Sequence, residues 1–103
     1  MFELNEIEKR VLKEALNDWL EAMHDLRKAS ADGNADEEDR HYYRGIVDIS
    51  EGYFFGTLHT IADLRGVNFY CQLPNALYDG MLSVMVVKNV GTDDEVLLGE
   101  FVI

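Results

Sequence analysis

The residues of this sequence whose types and spacing could do chemistry are His59 and Asp63. Placed four positions apart, they would share one face of a helix, as a general base with its orienting carboxylate or as two ligands of a metal. A zinc site takes three or four ligands, and the other histidines, His24 and His41, stand in separate segments without motif spacing. Because no nucleophile or oxyanion hole accompanies the pair, we expect a local hydrogen bond, no catalytic residue, no metal and no cofactor. A small hydrolase or metal-dependent enzyme built on the pair is the alternative.

The single cysteine, Cys71, could be a reactive thiol or a buried and inert one. Its neighbours Tyr70, Gln72 and Leu73 include no lysine or arginine that would lower the pKa of the thiol. We therefore expect a buried, unreactive cysteine. One cysteine cannot form an intramolecular disulfide, so this sequence does not require an oxidising compartment.

The most concentrated charge is a run of four consecutive acids from Asp36 to Asp39. One interpretation is a patch that docks on a basic partner and speeds the encounter. The other is a solvated first turn that obeys the helix dipole. Aromatic side chains beside charges are typical of interfaces, and they follow directly here. The sequence therefore predicts a partner-binding site made of Asp36, Glu37, Glu38, Asp39, His41 and Tyr43. The competing site is the connector 69–73, whose aromatic side chains could be exposed instead of packed.

The net charge of −11, from 20 acids against 9 bases, restricts the class of partner. Such a field repels nucleic acids and anionic lipid surfaces, and it favours a protein with a basic surface. We therefore expect no direct nucleic-acid binding and no membrane association. The first ten residues lack the apolar region of a signal peptide, and no apolar run approaches the length of a bilayer span. The expected location is the cytoplasm, or the periplasm only if a leader has been removed.

The length of 103 residues predicts a single domain, residues 1–103. Hydrophobic periodicity predicts that this domain begins with a long amphipathic helix. This helix runs from about Asn5 to Ala31 and opens with a capping box between Asn5 and Glu8. Gly33 is expected to end it in a left-handed conformation.

A second long helix is expected to extend to Arg65 and Gly66, with Asn34 and Glu37 at the capping-box spacing. Its apolar face is wide and comprises Tyr42, Ile46, Ile49, Tyr53, Thr57 and Ile61, extended by Tyr43, Val47, Phe54 and Leu58. A stripe of this width predicts a central helix that is buried on more than one side. Glycines at positions 45, 52 and 56 each cost about 1 kcal/mol of helix propensity. They predict either the close approach of another element or a kink.

The C-terminal part admits two interpretations. Pro74 could open a third helix that ends at Gly91, and Thr92 with Glu95 resembles a capping box for a short fourth helix over 93–101. The β-branched residues of this part instead suggest a β-hairpin over 84–102, which would make the fold α+β. The capping-box spacing favours the helices, so the expected fold is an all-α, four-helix domain.

Three motifs stand in order between positions 45 and 90. They are Gly52-Tyr53-Phe54-Phe55-Gly56 on a helix, then Cys71-Gln72-Leu73-Pro74, then Gly80-Met81-Leu82 running into Val84-Met85-Val86-Val87-Lys88. In this order they resemble the Rap/Tai family of small immunity proteins, which neutralise amidase effectors of type VI secretion. The resemblance implies an all-helical fold and a stoichiometric inhibitor that binds a protein.

These observations predict a non-catalytic protein-binding inhibitor, or immunity-type module, that blocks a partner protein by stoichiometric binding. The alternative is a phage-type anti-defence protein, a nucleic-acid mimic that occupies a basic nucleic-acid-binding groove. A mimic would carry its carboxylates in phosphate-like rows, and its binding would collapse as salt screens the charges. An inhibitor that binds by shape would tolerate salt better.

Overall fold

A computed structural model describes residues 2–33, 36–71, 77–78 and 80–103. Two long helices precede an antiparallel sheet of four strands, so the fold is α+β. The elements are α1 (Glu6–Ala31), α2 (Glu37–Arg65), β1 (Asn68–Tyr70), β2 (Leu77–Tyr78), β3 (Met81–Lys88) and β4 (Val96–Val102).

The start of α1 confirms the predicted capping box. The Asn5 side chain accepts a hydrogen bond from the Glu8 backbone N–H at 2.8 Å, and the Asn5 N–H donates to the Glu8 carboxylate at 2.8 Å. Two backbone donors that the first turn would leave without partners are thereby satisfied. The predicted stop is wrong in its mechanism, because Asp32 caps the end in an extended conformation and Gly33 is not left-handed.

The second helix runs without interruption through its three glycines to Arg65. Its N-cap is Asp36, whose side chain accepts from the Asp39 backbone N–H at 2.8 Å, while the proposed cap Asn34 lies outside the described residues. Gly66 ends the helix as predicted, at φ 67°, where a side chain would be strained. Within the described part of the chain, no helix combines the length and apolar character of a bilayer-spanning segment.

The predicted third and fourth helices, and with them the all-α, four-helix fold, are wrong. Residues 81–88 and 96–102 are the strands of an antiparallel hairpin, as the α+β alternative proposed for 84–102. Leu82, Val84 and Val86 are buried while their neighbours are not, which is the period of two of a strand with one covered face. The proposed helix start at Pro74 lies outside the described residues.

Thr92 forms local hydrogen bonds like those of a helix cap, but they stabilise the loop of this hairpin. Its hydroxyl donates to the Asn89 carbonyl at 2.7 Å and accepts from the Asp94 backbone N–H at 3.2 Å. Asn89 and Gly91 adopt positive φ angles of 60° and 79°. Because threonine makes similar short-range bonds in turns and at caps, the spacing of Thr92 and Glu95 could not distinguish the two.

In the sheet, β3 is the central strand. It pairs antiparallel with β4 along its length, and with β1 through the register Phe69↔Val86. The short β2 pairs with the start of β3. A bulge between Val86 and Val87 shifts the register against β4.

The core forms where the two helices cover one face of the sheet. Its fully buried side chains come from both layers: Leu12, Leu16, Phe54, Leu58, Leu82, Val84 and Val86. Trp19 stacks on Phe54 with ring centroids 5.8 Å apart, and Phe55 meets the same indole edge-on at 5.6 Å. This aromatic cluster fixes how the helices sit against each other.

Arg65 ties the end of α2 to the beginning of the chain. Its guanidinium donates to the Glu8 carboxylate at 2.7 Å and to the Glu3 carbonyl at 2.6 Å. It also lies over the Phe2 ring, 4.8 Å from the centroid. One side chain therefore joins the end of α2 to the first residues of the chain and to the first turn of α1.

The opposite end of the helical pair extends beyond the core. Buried residues occur in α1 only up to Ala22 and in α2 only from Phe54 onward. None of the described residues from 23 to 53 is buried, and we refer to this part as the helical arm. The molecule is correspondingly elongated, with extents of 55 × 29 × 22 Å. The arm is where candidate binding residues are most accessible.

Candidate protein-binding surface

The predicted partner-binding residues lie at the free end of the helical arm. Asp36, Glu37, Glu38 and Asp39, which we call the acidic tip, are all exposed at the start of α2. His41 is exposed and Tyr43 is half-buried, one helical turn further along. The structure therefore brings the six predicted residues together on one end of the molecule.

The free end of the arm carries positive as well as negative side chains, whereas the sequence prediction considered only its acids. Arg40 and Arg44 follow the acidic tip on the same helix. Together with Glu37 and His41, they line a small depression of about 200 Å³. A larger depression of about 500 Å³ separates the two helices, and it is lined by Asp25, Lys28, Ala29, Asp32, Asp39 and Tyr43. The free end of the arm thus presents both signs of charge to a partner.

The pair His59 and Asp63 does not form the expected local hydrogen bond. Both residues are exposed on α2, and neither side chain has a partner among the residues that the structure describes. The same described residues contain no group of three or more histidine, cysteine or acidic side chains that could hold a metal. The pair is therefore a solvated part of the helix surface.

Cys71 is half-buried just after β1. Burial raises the pKa of its thiol above the ordinary value, because desolvation disfavours the thiolate. The thiolate is the reactive form, so this environment makes Cys71 a weak nucleophile.

Alkylation of Cys71 by iodoacetamide at pH 8 should be several-fold slower in the folded protein than in the urea-unfolded chain. The raised pKa lowers the thiolate fraction, and half-burial limits access of the reagent. The rate can be measured by mass spectrometry over time, with a short cysteine peptide as the control. Equal rates for the folded protein and the peptide would contradict a protected thiol.

One side of α2 carries apolar side chains that no other described element covers. Ile49 is 74% exposed, Tyr42 is 65% exposed and Tyr53 is 62% exposed. The sequence predicted that this helix is buried on more than one side, and that prediction is wrong. The buried side is the narrower one that carries Phe54, Leu58, Ile61 and Ala62.

The residues on this side follow an alternating spacing of four and three along α2, and all of them except the half-buried Ile46 are exposed. They are Tyr42, Ile46, Ile49, Tyr53, Gly56 and Thr60, and we call them the α2 seam. This spacing is the a/d pattern of a helix that packs lengthwise against another helix. The apolar spacing of this helix is visible in the sequence. It was predicted to be buried because exposed and buried apolar stripes use the same residue types.

A groove of about 560 Å³ runs between the α2 seam and the start of α1. Its lining comprises Ile7, Glu8, Val11, Gly52, Tyr53, Gly56, Thr57, Thr60 and Ile61. A Cβ atom built on Gly52 or Gly56 would meet nothing within 4 Å, and neither residue has a positive φ. Neither packing within the described chain nor backbone conformation therefore requires glycine at these two positions.

Beyond the groove, the side of α1 that lines it becomes acidic. After Ile7 and Val11, the positions at alternating spacings of three and four are Glu14, Asp18, Glu21 and Asp25, which we call the acidic row. All four are exposed, and none forms an ion pair with another described residue. Successive carboxylates of this row stand about one helical turn apart.

The competing site at the connector is only partly available. Phe69 is buried in the core, whereas Tyr70 is 44% exposed, and Leu73 lies outside the described residues. Tyr70 shares the uncovered face of the sheet with Met85, its partner in β3. This face is a second exposed apolar surface.

Comparison with protein-family models, with curated proteins and with solved structures finds no match to this chain. The resemblance to the Rap/Tai family therefore stays a prediction. The all-helical fold that the resemblance implied is not present, since β3 occupies most of the stretch that was expected to be its valine-rich helix.

Proposed function

We propose that this protein is a non-catalytic binding module that inhibits a partner protein by forming a stoichiometric complex with it. The observation that carries the proposal is the exposed α2 seam, with Ile49 and Tyr53 mostly in solvent on an otherwise highly charged protein. Contiguous exposed apolar surface rimmed by charge is typical of protein interaction sites. Tyrosine is also among the residues that contribute most to binding energy in interfaces.

The net charge supports a partner with a basic surface. In this arrangement the acidic tip accelerates the encounter, and the apolar side chains behind it slow dissociation. The immunity-type form of the proposal rests on the resemblance over residues 45–90. The cytoplasm is the proposed compartment, since the single thiol needs no oxidising environment.

A second candidate function is a nucleic-acid mimic that occupies a basic nucleic-acid-binding groove. The acidic row favours it, because four exposed carboxylates one helical turn apart form a line of regularly spaced negative charge. Two observations count against it. Arg40 and Arg44 interrupt the negative charge behind the acidic tip, and phosphate mimicry gives no reason for an exposed Ile49.

Affinity capture with the tagged full-length chain, followed by mass spectrometry, is the experiment that tests the proposed function. We expect one protein to be retained at low salt and to form a complex of fixed stoichiometry when purified, with loss of that protein's activity. Retention should persist at high salt for an inhibitor that binds by shape, whereas binding by a mimic should collapse. Recovery of no stoichiometric partner would contradict both functions.

Neutralising the acidic tip should slow association with the captured partner by about tenfold at low salt, because exposed charges act mainly on the encounter rate. The variant is Asp36→Asn, Glu37→Gln, Glu38→Gln and Asp39→Asn together. Surface plasmon resonance at several salt concentrations gives the association and dissociation rates separately. An unchanged association rate and salt dependence, with the fold intact by circular dichroism, would show that the tip is only a solvated helix start.

A further inference from the structure

We infer that the groove between α1 and α2 binds one amphipathic helix whose flanks are basic. This inference deepens the proposed function and rests on it, because the helix would be supplied by the partner protein. Three observations support it. The groove is not covered by another described element, the α2 seam has the spacing of a helix-packing surface, and the acidic row lies beside it.

The apolar register of the α2 seam fits a helical partner. Seam residues recur at the spacing that lets one helix insert its side chains between those of another. From Tyr42 to Thr60 the seam is roughly 27 Å long, which matches about five turns of a docked helix. An amphipathic helix lying in an apolar groove is a recurrent mode of peptide recognition.

The two glycines of the groove allow this partner to approach closely. Gly52 and Gly56 weaken an exposed helix, although a Cβ atom at either position would meet no described atom within 4 Å. Their missing side chains leave space beside Tyr53 and Ile7, both of which project into solvent. A docked helix could rest its apolar side chains against the α2 backbone at this point.

The acidic row determines which helix fits. A helix lying in the groove would have its apolar face on the α2 seam and one flank along Glu14, Asp18, Glu21 and Asp25. In paired helices, charges at flanking positions select the partner, so lysine or arginine on that flank is complementary. A second copy of this chain is a poor occupant, because it would bring another net charge of −11 to the same surface.

A labelled peptide of three heptads tests the inference directly. It carries isoleucine and leucine at the a and d positions and lysine at e and g, and the control peptide has glutamate at e and g. Fluorescence anisotropy with the full-length protein should show binding of the lysine peptide and at least about tenfold weaker binding of the glutamate peptide.

Two pairs of matched variants locate the binding site. Gly56→Leu fills the groove, and His59→Leu adds the same side chain to another side of the same helix. Neutralising the acidic row with Glu14→Gln, Asp18→Asn, Glu21→Gln and Asp25→Asn removes four charges. The matched hairpin variant removes as many from the exposed acids of the β3–β4 hairpin, by Asp93→Asn, Asp94→Asn, Glu95→Gln and Glu100→Gln together. Gly56→Leu and the row variant should weaken binding of the lysine peptide at least about tenfold. His59→Leu and the hairpin variant should stay within about twofold of the original protein.

The outcomes separate this inference from the proposed function. Equal losses for the row and hairpin variants, or unchanged binding by folded Gly56→Leu, would overturn the groove as a helix site. So would a dimer in analytical ultracentrifugation that Gly56→Leu converts to a monomer, since a second copy would then occupy the groove. If a stoichiometric inhibited partner is captured in any of these cases, the inhibitor function stands without the groove. If no stoichiometric partner is captured, the inhibitor function fails, and the partner helix fails with it.

Discussion

Replacing Phe54 with alanine should lower the free energy of unfolding by about 3–5 kcal/mol, the usual cost of removing a buried aromatic ring. Phe54 is fully buried, stacks on Trp19 at 5.8 Å and meets Phe55 at 5.2 Å. Its removal would leave a cavity where the two helices meet the sheet, and close packing there prevents full collapse. Since domains of this size are stable by only about 5–15 kcal/mol, this loss is a large fraction of the total.

Urea denaturation followed by circular dichroism measures the effect. The urea midpoints are compared with a common m-value, the slope of the unfolding free energy against urea concentration. The adjacent variant Tyr53→Ala is the matched control, because Tyr53 is mostly exposed and its truncation should change the stability by only about 0.5 kcal/mol. If the two variants had equal midpoints, the assignment of Phe54 to the core and Tyr53 to the surface would be wrong.

Replacing Gly52 and Gly56 together with alanine should raise the free energy of unfolding by about 1–2 kcal/mol, because each glycine in a helix interior costs about 0.5–1 kcal/mol relative to alanine. Neither new methyl group meets any atom within 4 Å, so no clash offsets the gain. Differential scanning calorimetry should show a higher Tm, by about 4–8 °C for each kcal/mol in a domain of this size.

Gly66→Ala is the control with the opposite sign. At φ 67°, Gly66 adopts a left-handed conformation that strains any residue with a Cβ atom, so this variant should be destabilised by about 1 kcal/mol. If Gly52→Ala with Gly56→Ala lowered the Tm instead, the described structure would be missing a close contact at the groove. Internal packing would then require these glycines, and a role for them in binding a partner would be contradicted.

Two helix boundaries, the start of α1 and the end of α2, were predictable because they depend on local chemistry. The Asn5–Glu8 capping box and the left-handed Gly66 act within a few residues, so their sequence spacing was sufficient. The fold class was not predictable in the same way. Thr92 makes the same kind of short-range bond in a hairpin loop as at a helix cap, and only the pairing of β3 with β4 distinguishes the two.

The candidate site was predictable in its charges but not in its apolar part. Four consecutive acids such as those of the acidic tip almost always face solvent, so their exposure followed from composition. Periodicity identified Ile49 and Tyr53 as members of an apolar stripe, but it could not tell whether the chain had a further element to cover them. The region expected to supply two more helices forms a sheet, and its covered face packs at the other end of α2.

The distribution of buried residues along the two helices gives the molecule a gradient of local stability. Arg65 and the aromatic cluster around Trp19 hold the base, whereas the helical arm has no buried residue among those described between 23 and 53. Segments with few buried contacts open at a lower free energy than the global transition. The α2 seam begins in the arm and ends at the base, so a ligand bound along it would couple a readily opened segment to a rigid one. A ligand bound in the groove would then raise the free energy of local opening at the acidic tip, which lies far from the core.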